Sequence, residues 1–104
     1  MKNKELDAEK IKEILKEEFP FLKKRFNVKV IGFFGSYAKG TASKNSDIDI
    51  FIEFAKPIGL TFIGLAEYLE KLFNKKVEIL TREGLNSIKF KELAQSIKSS
   101  IIHI

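Results

Sequence analysis

The chain has no cysteine and no tryptophan, one histidine, one methionine and only two prolines among its 104 residues. The missing cysteines exclude a disulfide framework, a zinc–thiolate centre and a thiol nucleophile. A lone histidine, His103 near the C-terminus, cannot make a multi-histidine metal site, and it is assigned no role. Long apolar runs are also missing. Every hydrophobic stretch is short and broken by charge, so neither a signal peptide nor a membrane span is expected, and the reading is an intracellular, cytoplasmic protein. With no linker, repeat or low-complexity segment, residues 1–104 read as a single domain.

What the chain does have is apolar mass and alternating charge. Hydrophobic residues make up 44% of it, including ten phenylalanines, enough for one core. The net charge of +5 favours polyanionic ligands. Lys and Glu alternate through much of the sequence, however, so the basic excess reads as a solvated surface and not as a nucleic-acid groove. The abundance of Lys and Glu, with Cys and Met nearly absent, is consistent with a thermophilic source.

The chain is organised around Val30 to Phe54, VIGFFGSYAKGTASKNSDIDIFIEF. Val30 to Phe34 is an apolar run that reads as a buried strand, Val28–Phe34 in full. Gly35-Ser36 closes it and leads into a short helix, about Tyr37 to Thr41. A polar turn, Ser43 to Ser46, precedes a second strand opening with Asp47-Ile48-Asp49. Strand side chains at i and i+2 share a face. Asp47 and Asp49 therefore project together with Phe51 and Glu53, while Ile48, Ile50, Ile52 and Phe54 face the core. Two adjacent carboxylates repel unless a cation lies between them, and a hard, oxygen-seeking ion such as Mg²⁺ fits. Alone, the pair is equally compatible with solvated aspartates at a strand start. The Gly-Ser adds weight, because a strand-to-helix turn there presents backbone N–H groups to an anion. Gly35 permits close approach of a phosphate and Ser36 adds a hydroxyl, although a plain Ser-capped turn would look the same. One end of the stretch suits phosphate and the other a cation, which together describe a metal-bound nucleoside triphosphate.

The run Gly35-Ser36, ten residues, then Asp47-x-Asp49 with Ser46 before it resembles the signature of the minimal nucleotidyltransferases of the DNA polymerase β superfamily. The resemblance spans nearly the whole chain. It implies an α/β (α+β) fold with a small mixed sheet flanked by helices, like a polymerase β palm. It also implies two Mg²⁺ ions, ~3.5–4 Å apart in such two-metal sites, with ATP as donor. Asp47 and Asp49 would be catalytic metal ligands. A third carboxylate is expected on the strand after the long helix, where aspartate is usual; here Glu78 matches, isolated in the apolar KVEIL, where the cost of burying an unpaired carboxylate favours a role facing the site, the alternative being a surface position on an edge strand. Gly35, Ser36, Lys39 and Ser46 would serve the nucleotide, Ser46 by bracing the Asp turn. Lys39 stands where arginine is common in the family, so it keeps the charge but loses the planar fork. The resemblance further implies a helical HEPN toxin as partner, with this chain as an antitoxin that adenylylates a tyrosine hydroxyl on it. Two rival readings are a nucleotide- or toxin-binding module without catalysis, and a subunit that modifies a small molecule; the second has too few walls to bury its substrate.

The remaining elements follow from periodicity. Met1 to Phe19 reads as an amphipathic helix through Leu6, Ile11, Ile14, Leu15 and Phe19, with Pro20 interrupting or restarting it. Lys23-Lys24-Arg25 reads as a solvated helix end. Leu60 to Phe73 reads as a helix with Ile63, Ala66, Leu69, Leu72 and Phe73 inward. Lys76 to Leu80 is the third strand and Thr81 to Gly84 a polar turn, with Arg82 a solvated loop residue within reach of a triphosphate. From Leu85 the pattern suggests helical segments through Ile101 and Ile102. The tail, Ile101 to Ile104, suits a partner or homodimer interface.

Overall fold

Alternating isoleucines in one strand set the architecture. The computed structural model describes residues 5–104. Its strands are β1 (Val28–Phe34), β2 (Ile48–Phe54), β3 (Val77–Thr81) and β4 (Ile102–His103). They form one mixed sheet in the order β3-β2-β1-β4. β1 pairs antiparallel with β2 and β4, and β2 pairs parallel with β3. The helices are α1 (Ala8–Phe26), α2 (Gly35–Lys39), α3 (Thr61–Phe73), α4 (Arg82–Asn86) and α5 (Lys91–Ser100). The parallel β2–β3 pair needs a crossover, and α3 supplies it.

Ile48, Ile50 and Ile52 are completely buried. They pack in one cluster with Ile31 and Phe33 of β1, Val77 of β3, Ile11, Leu15, Leu22 and Phe26 of α1, and Leu65, Leu69 and Phe73 of α3. Asp7 caps α1, its carboxylate accepting from the Lys10 N–H at 2.9 Å. Asn27 and Asn74 end α1 and α3 in the left-handed conformation, at φ 57° and 53°.

Three expectations change. Helix α1 does not stop at Phe19 but runs through Pro20 to Phe26. Proline frees the carbonyl of the residue four before it. Here that residue is Lys16, which is exposed along with Pro20, so water can satisfy it while Leu22 and Phe26 keep the helix on the core. Residues 1–4 of the expected helix lie outside the described residues. In α3, Ile63 is 59% exposed, because burial follows Leu65, Leu69 and Phe73 and puts Ile63 on the other side. Finally, Ile101 and Ile102 do not continue a helix. Ile102 and His103 form β4 on the outer edge of β1, giving its backbone groups partners, and Ile102 and Ile104 pack on the chain's own core. The tail is thus used in part within the molecule, with Ile101, Ile102 and Ile104 left half-exposed. Among the described residues, no helix is long and apolar enough to cross a membrane.

Candidate active site

The opposite face of the sheet carries the acidic residues. Register places Phe34, Asp49 and Glu78 side by side across β1, β2 and β3. Residues paired in this way share a face. Asp49 is half-buried and Glu78 is exposed on the edge strand. The expected seclusion of Glu78 in an apolar strand therefore fails, since β3 has no neighbour on its outer side. Its position beside Asp49 holds. Asp47 sits just before β2, half-buried. Partial burial, then Glu78, then Asp47 all push the Asp49 carboxyl above the usual aspartate range.

Gly35 is the first residue of α2 and has φ +76°. A side chain there would be strained, and its Cβ would overlap the Asp49 carboxylate. Asp49 thus occupies the space that glycine leaves open. Ser36 is the second residue of α2, inside the helix and not its cap, and Phe34 occupies the cap position without a side-chain bond. The first N–H groups of any helix have no intrahelical partner. Lys39 is exposed in the last turn of α2. Ser46 accepts the Ser43 N–H at 2.9 Å, bracing the turn before Asp47 as expected.

That turn is also held from outside. The Lys75 ammonium donates to the Lys44 carbonyl at 2.6 Å and lies 5.9 Å from the Tyr37 ring. The Tyr37 hydroxyl donates to the Ser43 carbonyl at 3.4 Å. Nothing in the sequence pattern singles out Lys75 among so many lysines.

Further along the same face, Phe51 is completely buried, although it alternates with the acidic residues. Arg82 explains this. It is not a solvated loop residue: it begins α4, lies 4.9 Å over the Phe51 ring and pairs with Glu53 at 3.2 Å. The expected polar turn at 81–84 is instead the start of this helix, capped by the Thr81 hydroxyl accepting from the Gly84 N–H at 3.0 Å.

Chemically, the set is all oxygen and suits a hard divalent cation. Among the described residues no three acidic or imidazole side chains converge on one point. That fits Mg²⁺ in its usual role, held by one or two carboxylates with phosphate oxygens and water completing the shell.

Residues 8–103 match the nucleotidyltransferase domain family. The chain belongs to that family. It is by that membership a nucleotidyltransferase, an enzyme of group transfer. The protein adenylyltransferase MntA of Thermococcus cleftensis is 36% identical over 100 residues, covering 95% of this chain and 97% of the relative. A toxin–antitoxin crystal structure with AMP-PNP is similar at 27% identity and TM-score 0.61, over 94% of this chain and 72% of that one. A structure provisionally named a minimal nucleotidyltransferase shares the fold with TM-score 0.71 at 24% identity, over 96% and 98%.

Proposed function

We propose that this chain, acting as a single minimal nucleotidyltransferase domain, transfers AMP from ATP to a tyrosine hydroxyl of a helical HEPN-type toxin and so serves as its antitoxin. The observation that carries the chemistry is the contact of Asp49 with Gly35, with Glu78 alongside in register. It joins the cation end of the site to the phosphate end. The name of the Thermococcus relative supports protein as acceptor, and the AMP-PNP and toxin in the related complex support an ATP-like donor and a toxin partner.

In this reading the triphosphate lies at Gly35-Ser36, with the first N–H groups of α2 and the Ser36 hydroxyl toward it. Asp47 and Asp49 would hold a Mg²⁺, with Glu78 helping to hold a second; bound there, such ions would supply positive charge to the phosphates and lower the pKa of an acceptor hydroxyl. Ser46 and the Lys75 brace fix the turn that presents Asp47. Glu78, exposed on the edge strand, stands where an acceptor enters from solvent. Lys39, on the outer surface of α2, contributes at most long-range positive charge. A cytoplasmic setting is part of this proposal, because ATP is the donor.

The test is transfer of label from α-³²P-ATP with Mg²⁺ to proteins of the host lysate. One labelled protein is expected, absent with Asp47→Asn. A second reading, a binding module without turnover, is favoured by the exposure of Glu78. Intact ATP binding with no label would select it, and Glu78→Asp would then be the first repair to try.

A further inference from the structure

The helix layer, on the side of the sheet away from the carboxylates, carries an apolar patch that the chain itself leaves open. Phe21 of α1 is 45% exposed, and Leu60 and Ile63 at the start of α3 are 86% and 59% exposed. Phe21 packs on Tyr68 of α3 with ring centroids 5.1 Å apart, and the two rings meet Phe26 at 6.2 and 6.1 Å. Tyr68 is held there by its hydroxyl, which donates to Glu18 of α1 at 2.5 Å. Gly64 lies one turn before Tyr68, exposed, in the middle of α3, where glycine weakens a helix relative to alanine. The other five glycines either turn the chain at positive φ or make room for a neighbouring atom at 3.1 Å or closer. Gly64 does neither: a Cβ there would meet only the Phe26 ring, at an ordinary 4.0 Å. Its missing side chain leaves a hollow beside that ring, facing outward.

We infer that this patch docks a second copy of the chain, back to back, about a two-fold axis at Phe21. The charges around Phe21 decide the occupant. Residues three and four apart on a helix are neighbours. Glu17 and Glu18 therefore lie one turn before Phe21, and Lys24 and Arg25 one turn after it, on the same side. Acid, aromatic ring, base: read backwards, this strip is its own complement. When α1 of one chain lies antiparallel on α1 of another with the Phe21 rings in contact, Glu17 falls opposite the partner's Arg25 and Arg25 opposite the partner's Glu17, as an isologous contact requires. A parallel arrangement would set Glu17 on Glu17 and Arg25 on Arg25. Glu17, Lys24 and Arg25 are exposed, and among the described residues none of them enters an ion pair within the chain. Arg25 lies over the Phe26 ring at 5.1 Å, which keeps its guanidinium at the edge of the patch. Helix α3 runs antiparallel to α1 here, because Tyr68 lies beside Glu18 and Gly64 beside Phe26. The same axis therefore lays α3 antiparallel on its copy, and the hollow at Gly64 lets the two backbones come close. Burial of Phe21, Leu60 and Ile63 drives the association, and the paired charges fix its orientation. Both carboxylate faces point away from the contact and stay open.

Sedimentation equilibrium of the whole purified chain at low salt tests this. The parent should sediment at twice the mass of the chain and dissociate on dilution. Phe21→Ser should weaken association at least about tenfold. Glu17→Arg and Arg25→Glu should each do the same, since each sets like charges opposite one another. The double variant, Glu17→Arg with Arg25→Glu, should recover most of the affinity, because reversal at both ends restores the pairing. Circular dichroism checks that each variant is folded, and the charge variants lie wholly on the surface. A parent that stays monomeric at millimolar concentration would overturn the inference. So would association indifferent to Phe21→Ser, or a double variant no better than the single ones, since the contact would then not be self-complementary. If a helical toxin covers this face instead, the parent alone will be monomeric and the α1 amides around Phe21 will gain exchange protection only when that toxin is added, which also overturns it.

Discussion

The two faces of β2 divide the labour of the molecule. Ile48, Ile50 and Ile52 point to a face where α1 and α3 exclude all solvent, and Asp49 and Glu53 point to one that keeps them half-exposed. Residues adjacent in sequence therefore have opposite effects on stability. The isoleucines stabilise the fold by leaving water. Asp49 is held beside two other acids, with its carboxyl pushed above the usual range, so its charge opposes folding. Where a site face is also packed, as at Phe51, a separate device covers it: Arg82 lies over the ring and its charge is met by Glu53. Stability thus resides on one side and chemistry on the other, and a single strand links them.

The comparison breaks most sharply with Ile50→Ala. Truncating a fully buried side chain costs ~2–5 kcal/mol, a large part of the stability of a domain this size. Urea unfolding should show that loss, with activity falling only as the folded fraction falls. Gly35→Ala comes next. Adopting φ +76° with a side chain costs roughly 1–3 kcal/mol, and the Cβ must also displace the Asp49 carboxylate. Transfer should fall to background even under conditions where circular dichroism shows a fully folded protein. Near-normal turnover by the Gly35→Ala variant would mean that the Asp49–Gly35 contact is packing alone. Lys75→Met is smaller. It removes the bond to the Lys44 carbonyl, worth ~0.5–1.5 kcal/mol, and should lower kcat several-fold with KM for ATP nearly unchanged.

Period-two alternation in IDIFIEF gave both faces of β2 directly, and the Gly-Ser and Asp-x-Asp spacing pointed to the family before any contact was known. The third carboxylate was found by its place in a strand, although the reason offered, burial, does not hold on an edge. What stayed hidden was tertiary. Arg82 shows no local sign that it will lie on Phe51, because its partner residue is on another strand. Ile88 and Ile97 look like ordinary helix stripe residues, and only the path of the chain after α4 brings them beside Asp49 and Glu78. Pro20 misled because a proline is a local break, whereas Leu22 and Phe26 hold the helix through contacts made far away in sequence. The isoleucines of the tail read as helical until the unpaired edge of β1 is seen to need a strand.

The smallest effect gives the cleanest test of the division between faces. In metal-free buffer, the raised pKa of Asp49 means that the folded state holds its proton more tightly than the unfolded chain does. Folding stability should then decline as pH rises from the ordinary aspartate range through the folded value, because ionisation is easier in the unfolded state. Asp49→Asn removes that loss, so at neutral pH it should melt as high as the parent or slightly higher and show a flatter stability profile through the acidic range. Adding Mg²⁺ with AMP-PNP should reverse the order, raising the Tm of the parent but not of the variant. A variant that melts lower in metal-free buffer would show that the Asp49 carboxylate, through its contact with Gly35, holds the fold together, and that the two faces are not separable after all.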